Sequence, residues 1–395
     1  MIILIGIYIL CVAALFYSYV LYPIMLRWMS NGKHLSNNCY SPNDKLPEVY
    51  MIFSVYNGDK VLREKIESML NSDYPSHLLH VIVGSDESTD NTDSIVSEIA
   101  SRDIRVQLQR YSRRGKSNVI NAIRQNILSQ GVSDDAIFVL TDAYAIFEKQ
   151  TLFEMVKLFK EERIGIVGAN YINTNLQAGG ISHQEKAYIQ RENLIKYQEG
   201  VALGSMMGVY GACYAIRAKD FPEFPGNILM EDFYVTMLML QQGKQSVLNL
   251  ESRFYENIPN SIEIEFRRKK RISAGNFQNL VYFKSLLSPK YGGTALAFWS
   301  HKVLRWLGPF FILISYAACF LLACSGHAIF QWVAMGHLLL LVIPPIDSLL
   351  KRIGVNFAFF RFVTYFLGMN LAILAGLKWY LEGIETNVWQ PTARS

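Results

Sequence analysis

The sequence predicts an α/β protein in which a mostly parallel sheet domain is joined to transmembrane helices. The first observation is that apolar runs alternate with amphipathic helical patterns over 48–142, as in a parallel sheet covered by helices on both faces. The second is that charged side chains are absent from 1–26 and from 306–346. Because a helix needs about 20 apolar residues to cross a bilayer core, these two runs predict one span and two spans.

The N-terminal run is interpreted as an uncleaved anchor, because it has no basic start and no small-residue cleavage site. Basic residues flank the region between the first two spans, which predicts that this region is cytoplasmic; they are Arg27, Lys33, Lys302 and Arg305. A fourth span, 353–377, contains Arg361, which leaves open a tilted, snorkelled or re-entrant helix. The predicted division is an N-terminal transmembrane helix (1–28), a linker (29–47), a cytoplasmic α/β domain (48–285), an interfacial segment (286–301), about three C-terminal transmembrane helices (302–382) and a tail (383–395).

Composition adds three constraints. Five cysteines without metal-ligand spacing indicate a reducing compartment rather than a disulfide framework. The net charge of +5 suits attraction to membrane lipid headgroups and to anionic substrates, and nucleic acid is not needed to explain it. His301, beside the interfacial segment, is interpreted as a structural rather than a catalytic histidine.

Polar clusters follow successive apolar runs of the predicted sheet. The clusters are 54–58, 85–90, 115–118 and Asp142. Because the carboxyl ends of parallel strands meet at one edge of a sheet, we expect the clusters to converge on one crevice. Each cluster by itself is equally well explained as a helix cap or a turn.

The residue types in these clusters suit a nucleotide diphosphate. A carboxylate such as Asp86 accepts hydrogen bonds from a ring N–H or a ribose hydroxyl, and Lys116 at a helix start meets a ring carbonyl or a phosphate. Asp142 suits Mg²⁺ or Mn²⁺ bridging phosphate oxygens, because hard cations choose oxygen ligands. Such a metal would neutralise a departing diphosphate.

Glu231 and Asp232 form an acidic pair between an apolar run and an amphipathic segment, which predicts a carboxylate at a helix N-terminus. The helix dipole favours the ionised carboxylate there, as a general base requires. An acidic pair is also an ordinary helix start, so the pair alone leaves both interpretations open.

In this order the motifs resemble those of the membrane-bound family 2 glycosyltransferases, which include cellulose, chitin and hyaluronan synthases, over 45–390. The resemblance implies a nucleotide-diphospho-sugar transferase (GT-A-like) fold. Asn57, Asp86 and Lys116 would then contact the sugar nucleotide, and Asp142 would hold the metal and the diphosphate. The matching pieces are Ser54-Val55-Tyr56-Asn57, Ser85-Asp86-Glu87-Ser88-Thr89-Asp90, Gly115-Lys116-Ser117 with Asn121, Thr141-Asp142-Ala143, Glu231-Asp232 and, at the place of the Gln/Arg-x-x-Arg-Trp motif, the basic run 267–271.

The same resemblance implies an acceptor side. Asp232, with Glu231 beside it, would deprotonate the acceptor hydroxyl, whose attack would invert the anomeric configuration. Gly211 would line the acceptor side, although a core strand with a closely packed glycine explains it equally well. Arg268 and Arg271, three residues apart on one helix face, would meet the departing diphosphate, and the alternative is a patch facing lipid headgroups.

The sequence departs from the family pattern at three places. Tyr144 replaces the second carboxylate of the Asp-x-Asp motif, and Glu87 replaces the glycine of the nucleotide motif, where its side chain would crowd the sugar nucleotide. The basic run is followed by Ile272 and contains neither the glutamine nor the tryptophan. In the processive synthases that tryptophan helps to form the acceptor site, so its loss weakens the case for a long-chain polymerase.

The leading hypothesis is an inverting glycosyltransferase in a bacterial-type inner membrane. It would move a sugar from a nucleotide-diphosphate sugar, such as a UDP-sugar, to a lipid-linked or growing glycan acceptor. A processive polysaccharide synthase is the alternative within the same fold, and a catalytically silent nucleotide-binding membrane scaffold is the alternative from another class. Three C-terminal spans are few for an export channel, so a partner transporter or a homo-oligomer would have to supply one.

Overall fold

The computed structural model describes residues 1–174, 181–257, 261–355 and 357–384, so nearly all of the predicted tail lies outside the described residues. The strands are β1 (Val49–Val55), β2 (Leu79–Asp86), β3 (Val106–Tyr111), β4 (Ile137–Thr141), β5 (Ile146–Phe147), β6 (Ile164–Thr174), β7 (Cys213–Arg217) and β8 (Gln245–Asn257). The main helices are α1 (Ile2–Met29), α2 (Leu62–Leu70), α3 (Thr92–Arg102), α4 (Lys116–Ser129), α5 (Thr151–Val156), α6 (Ser182–Leu203), α7 (Glu231–Gln241), α8 (Ile262–Tyr282), α9 (Gly293–Trp306), α10 (Gly308–Cys324), α11 (Ala328–Arg352) and α12 (Ala358–Glu382).

The eight strands form one sheet in the order β3-β2-β1-β4-β7-β6-β8-β5. Strands β1 to β4 pair in parallel, as the alternation of strands and helices predicts, and β6 pairs in parallel with β8. Strand β7 runs antiparallel to both β4 and β6, and β5 runs antiparallel to β8. The sheet is therefore mixed, and the predicted crevice lies at the carboxyl ends of its parallel half.

The parallel half is buried on both faces, which explains its continuous apolar runs. Met51 and Phe53 of β1 point into one hydrophobic core, whereas Ile52 between them points into the other. This alternation follows from the two-residue period of a strand. All five residues of β4 are buried as well.

In the described part of the chain, α1, α11 and α12 are long and apolar enough to cross a membrane. Helices α9 and α10 form a fourth candidate, bent by 58° at a break before Pro309, whose ring suits the first turn of a helix. Lys302 and Arg305, which we expected at the start of a span, lie in α9 before this bend.

The C-terminal helices differ from the prediction at two places. The uncharged run that predicts the second and third spans ends at 346, but α11 continues to Arg352 with Pro344 and Pro345 inside it. Neighbouring groups in a helical bundle can satisfy the backbone that a proline frees. Arg361 is buried, and its Nε lies 3.4 Å from Oδ2 of Asp347 on α11. The charge that we expected to disturb the last span therefore has an ion-pair partner.

The apolar helices pack directly against the sheet domain. Ser273 of α8 donates a hydrogen bond to the carbonyl of Ile373 on α12 at 2.9 Å. A Cβ at Gly376 would lie 2.5 Å from the carbonyl oxygen of Lys270, so only glycine permits this approach of the two helices. On the other side, Ser18 of α1 donates to the carbonyl of Ser300 on α9 at 2.9 Å.

Candidate active site

Asp86 ends β2 and organises the loop that leads into α4. Its Oδ1 accepts the N–H of Arg114 at 2.8 Å, and its Oδ2 accepts the N–H of Gly115 at 3.1 Å. The guanidinium of Arg113 also donates to Oδ2, at 2.6 Å, and stacks 3.6 Å from the ring centre of Tyr56. The loop therefore presents a planar, cationic and aromatic surface next to a buried carboxylate.

Asn57 and Glu87 tie loops together and do not line the cavity described below. The side chain of Asn57 accepts the N–H of Thr89 at 2.8 Å, and its own N–H donates to Ser88 at 3.2 Å. Glu87 adopts a φ of 64°, a conformation that glycine reaches more easily, and its carboxylate accepts the N–H of Arg113 at 3.1 Å. The Glu87 side chain, which we expected to crowd the sugar nucleotide, is thus bonded to the loop.

Lys116, Asp142 and Glu231 meet at the centre of the crevice. The Lys116 ammonium lies 2.8 Å from Oδ1 of Asp142, at the end of β4, and 2.8 Å from Oε1 of Glu231, at the start of α7. Burial acts to lower the pKa of Lys116, but the two carboxylates raise it well above its usual value. One ammonium thus links two carboxylates that the sequence separates widely.

Lys65 of α2 stabilises the loop that follows β4 and contains Asp142. Its fully buried ammonium donates to Oγ1 of Thr141 at 2.9 Å and to the carbonyl of Ala145, and it lies 4.1 Å from the ring centre of Phe147. Burial lowers the pKa of Lys65 to about 7. Lys65 was not predicted as a residue of the site, because a lysine on an amphipathic helix is typical of a solvated surface.

Asp232 is held by two backbone donors at the start of α7. Its Oδ2 accepts the N–H of Gly211 at 2.9 Å, and its Oδ1 accepts the N–H of Phe233 at 2.8 Å. A Cβ at Gly211 would lie 3.1 Å from Oδ2, so the missing side chain allows this approach. Burial, together with the neighbouring Glu231, raises the pKa of Asp232 to about 6. The carboxylate is therefore suited to accept a proton near neutral pH.

A divalent metal would need phosphate oxygens to complete its coordination here. Among the described residues, no group of three His, Cys, Asp or Glu side chains could hold a metal. The Asp142 side chain is 32% exposed, and Tyr144 lines the cavity where a second carboxylate would stand. One carboxylate with a diphosphate is an acceptable oxygen set for Mg²⁺ or Mn²⁺, so the residues fit a metal that arrives with the nucleotide.

Arg268 and Arg271 also line the cavity. Arg268 donates to the fully buried carboxylates of Glu185 and Glu265, each at 2.8 Å, so its charge is already paired. Arg271 donates to the carbonyl of Leu229 at 3.4 Å.

A buried acidic face on α6 was not predicted. His301 lies between two of its acids, with Nδ1 2.8 Å from Glu199 and Nε2 2.9 Å from Glu192. Arg305 also bonds to Glu192, and Tyr22 of α1 donates to Glu199 at 2.9 Å. His301 is thus held within a charged network, which agrees with its interpretation as structural. In the sequence, the spacing of these glutamates indicates only that they share one helical face, and such a face is usually exposed to solvent.

One continuous cavity of 1430 Å³ joins these parts. Its lining includes Asp86, Asp142 and Asp232. Apolar side chains of α1 and α12, such as Phe16 and Phe362, line the same cavity. The structure therefore brings the Asp86 loop, the buried carboxylate of Asp232 and apolar side chains of two candidate membrane spans into one cavity.

The chain is similar to known proteins. Residues 47–275, more than half of the chain, match the model of the family described as "Glycosyltransferase like family 2". A β-monoglucosyldiacylglycerol synthase from Nostoc sp. is 23% identical over 62% of this chain and 53% of its own length. A probable glycosyltransferase, YdaM, from Bacillus subtilis is 24% identical over 59% of this chain and 56% of its own length. The chain thus spans about half the length of the curated relatives that it matches.

The fold extends to a solved structure. The mannosyltransferase PcManGT from Pyrobaculum calidifontis, solved in complex with GDP-Man and Mn²⁺, superposes with a TM-score of 0.67 and is 19% identical. The match covers 96% of this chain and 99% of that one, so the helices outside the sheet domain are included. The predicted GT-A-like sheet domain with membrane-type helices is confirmed, and the chain belongs to glycosyltransferase family 2.

Proposed function

We propose that the protein is an inverting membrane glycosyltransferase that moves a sugar from a UDP-sugar to a lipid or lipid-linked glycan acceptor. The observation that carries the proposal is that one cavity is lined both by Asp142 and Asp232 and by apolar side chains of α1 and α12. A soluble acceptor would not need an apolar lining of this kind. The name of the Nostoc relative, a glucosyldiacylglycerol synthase, supports a lipid acceptor.

At the donor end, the loop held by Asp86 would bind the nucleotide. The Arg113 guanidinium and the Tyr56 ring offer a stacking surface for a base, and Lys116 offers a positive charge for the diphosphate. Asp142 would hold Mg²⁺ or Mn²⁺ together with phosphate oxygens, and such a metal supplies positive charge to the departing diphosphate. Arg271, which lines the same cavity, would meet the same charge.

At the acceptor end, Asp232 would act as general base. Its carboxylate takes the proton of an acceptor hydroxyl, and the oxygen forms a bond to the anomeric carbon as the bond to the diphosphate breaks. Attack from the side opposite the leaving group inverts the configuration. The two N–H donors from Gly211 and Phe233 fix the carboxylate in position before the acceptor arrives.

We place the catalytic domain on the cytoplasmic side of a bacterial-type inner membrane. Arg27 lies in the last turn of α1, Lys33 follows this helix, and Lys351 and Arg352 end α11, so basic residues cluster at the helix ends that would face the cytoplasm. Nucleotide sugars would then reach Asp86 from the cytosol, while the acceptor would enter from the bilayer.

The test measures nucleotide release by membranes that contain the protein, supplied with Mg²⁺ or Mn²⁺ and a panel of nucleotide sugars. We expect wild type to turn over one donor, Asp232→Asn to turn over none, and both to bind that donor. Asp135→Asn, at an exposed aspartate outside the cavity, is the matched control and should remain active. Full activity in Asp232→Asn would exclude the base assignment. Donor binding without turnover in wild type would favour the scaffold, and long products would favour a processive synthase.

A further inference from the structure

Lys196 of α6 is buried, and the part of the chain that the structure describes offers its ammonium no ion pair. Its side chain belongs to a residue that is only 5% exposed, and it lines the cavity. Among the described residues it makes no hydrogen bond or ion pair, and its ammonium lies over the ring of Tyr210, 3.4 Å from the ring centre. An ammonium removed from water without a paired carboxylate is costly, so such a group is expected to have a partner when the protein works.

The acids nearest to Lys196 in sequence are committed elsewhere. Glu192, one turn before it, bonds to His301 and Arg305. Glu199, almost one turn after it, accepts from Tyr22 and from the N–H of Met207, at 2.9 and 3.0 Å. The charges of Glu192 and Glu199 are therefore paired with other residues, and Lys196 on the same helical face is not their partner.

A second cation lies close by. The Lys302 ammonium of α9 faces the same cavity, 3.8 Å from Glu192, which it shares with His301 and Arg305. Burial, reinforced by the positive charge of Lys302, lowers the pKa of Lys196 to about 7. Two ammonium groups that repel each other form a place where an anion would relieve the repulsion.

The two lysines share their cavity with Asp232 and with apolar residues of the membrane helices. Lys196 is close enough to Asp232 for their charges to interact. Arg305, also on α9, lies 5.1 Å from the ring centre of Tyr19 on α1, and Tyr19 contacts Phe366 of α12 at 5.9 Å between ring centres. A ligand that contacts both Asp232 and these apolar side chains would have the two ammonium groups within the same cavity.

We propose that Lys196 and Lys302 bind a phosphate group carried by the acceptor lipid. This inference rests on the proposed function and narrows its substrate class: the acceptor would be an anionic lipid with a phosphate between its hydrocarbon chain and its reacting hydroxyl. Diacylglycerol carries no phosphate, so the acceptor would differ in charge from the lipid in the name of the Nostoc relative.

The first experiment measures binding without any sugar transfer. Purified full-length protein in a neutral maltoside detergent is titrated with dodecyl phosphate, dodecanol or inorganic phosphate, and binding is measured by the shift in melting temperature. Wild type should bind dodecyl phosphate at least tenfold more tightly than dodecanol, and more tightly than inorganic phosphate, because both the charge and the chain are recognised.

Lys196→Met keeps an unbranched side chain of similar length to the aliphatic part of the lysine and removes the charge. It should lose roughly tenfold in affinity for dodecyl phosphate, as expected for one charge-assisted hydrogen bond, and bind dodecanol as before. Lys149→Met, at an exposed lysine outside the cavity, should behave as wild type. Unchanged binding of UDP by Lys196→Met shows that the fold and the donor site are intact.

Each result separates one explanation. Equal affinity of wild type for dodecyl phosphate and dodecanol, or no loss in Lys196→Met, overturns the inference. Equal binding of inorganic phosphate would assign the site to free phosphate, and weaker UDP binding in the variant would assign Lys196 to the donor diphosphate; both overturn it. If dodecyl phosphate binds as expected but no nucleotide sugar is ever turned over, the proposed function fails while the anionic-lipid site stands.

Discussion

The pH dependence of sugar transfer follows from the environment of Asp232. Burial and the neighbouring Glu231 raise the pKa of this carboxyl from 3.8 to about 6. That rise corresponds to about 3 kcal/mol of lost preference for the charged form. A general base must be ionised to accept a proton, so activity should be lost as the pH falls through 6. At pH 5 about a tenth of the molecules would carry the ionised base, which predicts a roughly tenfold lower kcat than on the plateau.

Glu231→Gln tests the cause of this shift. The substitution removes the negative charge beside Asp232 and leaves its burial unchanged, while the amide oxygen can still accept from Lys116. The acid limb should therefore move to lower pH by roughly one unit, the order of a like-charge effect, and remain above the ordinary range of an aspartate. Glu223→Gln, at an exposed glutamate outside the cavity, is the matched control and should leave the limb in place.

The assay follows kcat from pH 4.5 to 8 at saturating donor, with melting temperatures measured in the same buffers so that unfolding is not mistaken for titration. A wild-type profile that stays flat to pH 4.5 would show that the base is not a raised carboxyl. An acid limb at the same pH in wild type and Glu231→Gln would show that the charge of Glu231 does not act on Asp232, and the electrostatic argument would then be wrong.

Two further predictions concern positions where the packing is tight. Gly211→Ala places a Cβ 3.1 Å from Oδ2 of Asp232, so it should lower kcat roughly tenfold at an unchanged donor KM; Gly226→Ala, with no atom within 4 Å, should have no effect, and a normal kcat in Gly211→Ala would contradict the role of this contact. Asp347→Leu leaves Arg361 without the carboxylate that lies 3.4 Å away, and should cost roughly 3–5 kcal/mol of stability. The double variant Asp347→Leu/Arg361→Met should melt at a higher temperature than Asp347→Leu, and the reverse order would show that the pair does not act as a unit.

The crevice could be predicted from the sequence because the same unit of a parallel strand followed by a helix is repeated along this part of the chain. Each parallel strand delivers its last residues to the same edge, so Asp86 and Asp142 were expected at one edge of the sheet, and they follow β2 and β4, the strands on either side of β1. The start of α4 places Lys116 at that edge for the same reason. Strand β7 could not be predicted in direction, since a short apolar run carries no mark of antiparallel pairing.

The charged contacts around α6 could not be predicted from the sequence. They join distant parts of the chain: His301 pairs with Glu192, and Arg268 with Glu185, across turns and loops that no local pattern describes. A charged residue on an amphipathic helix looks the same in the sequence whether it faces water or a buried partner. Lys65 shows this clearly, since it stands in an ordinary helical pattern and is fully buried.

The buried charges of α6 are poorly explained as a source of stability. Glu185, Glu192 and Glu199 are removed from water, and the attraction of buried ion pairs seldom exceeds the cost of their desolvation by much. What such pairs do fix is position, because a buried carboxylate without its partner is strongly unfavourable. Their partners include Arg268 on α8 and Arg305 on α9, the helices that pack beside the apolar spans.

The acids of α6 therefore hold Arg268 and Arg305, which line the cavity, in position before any ligand enters. Side chains ordered during folding do not have to be ordered again on binding, which favours tight and specific recognition. Lys196 lies on the same face, and within the described ranges it is the charged residue there whose partner is not supplied by the protein. The acids thus fix the positions of their partner cations, and the ammonium of Lys196 remains available to bind the ligand.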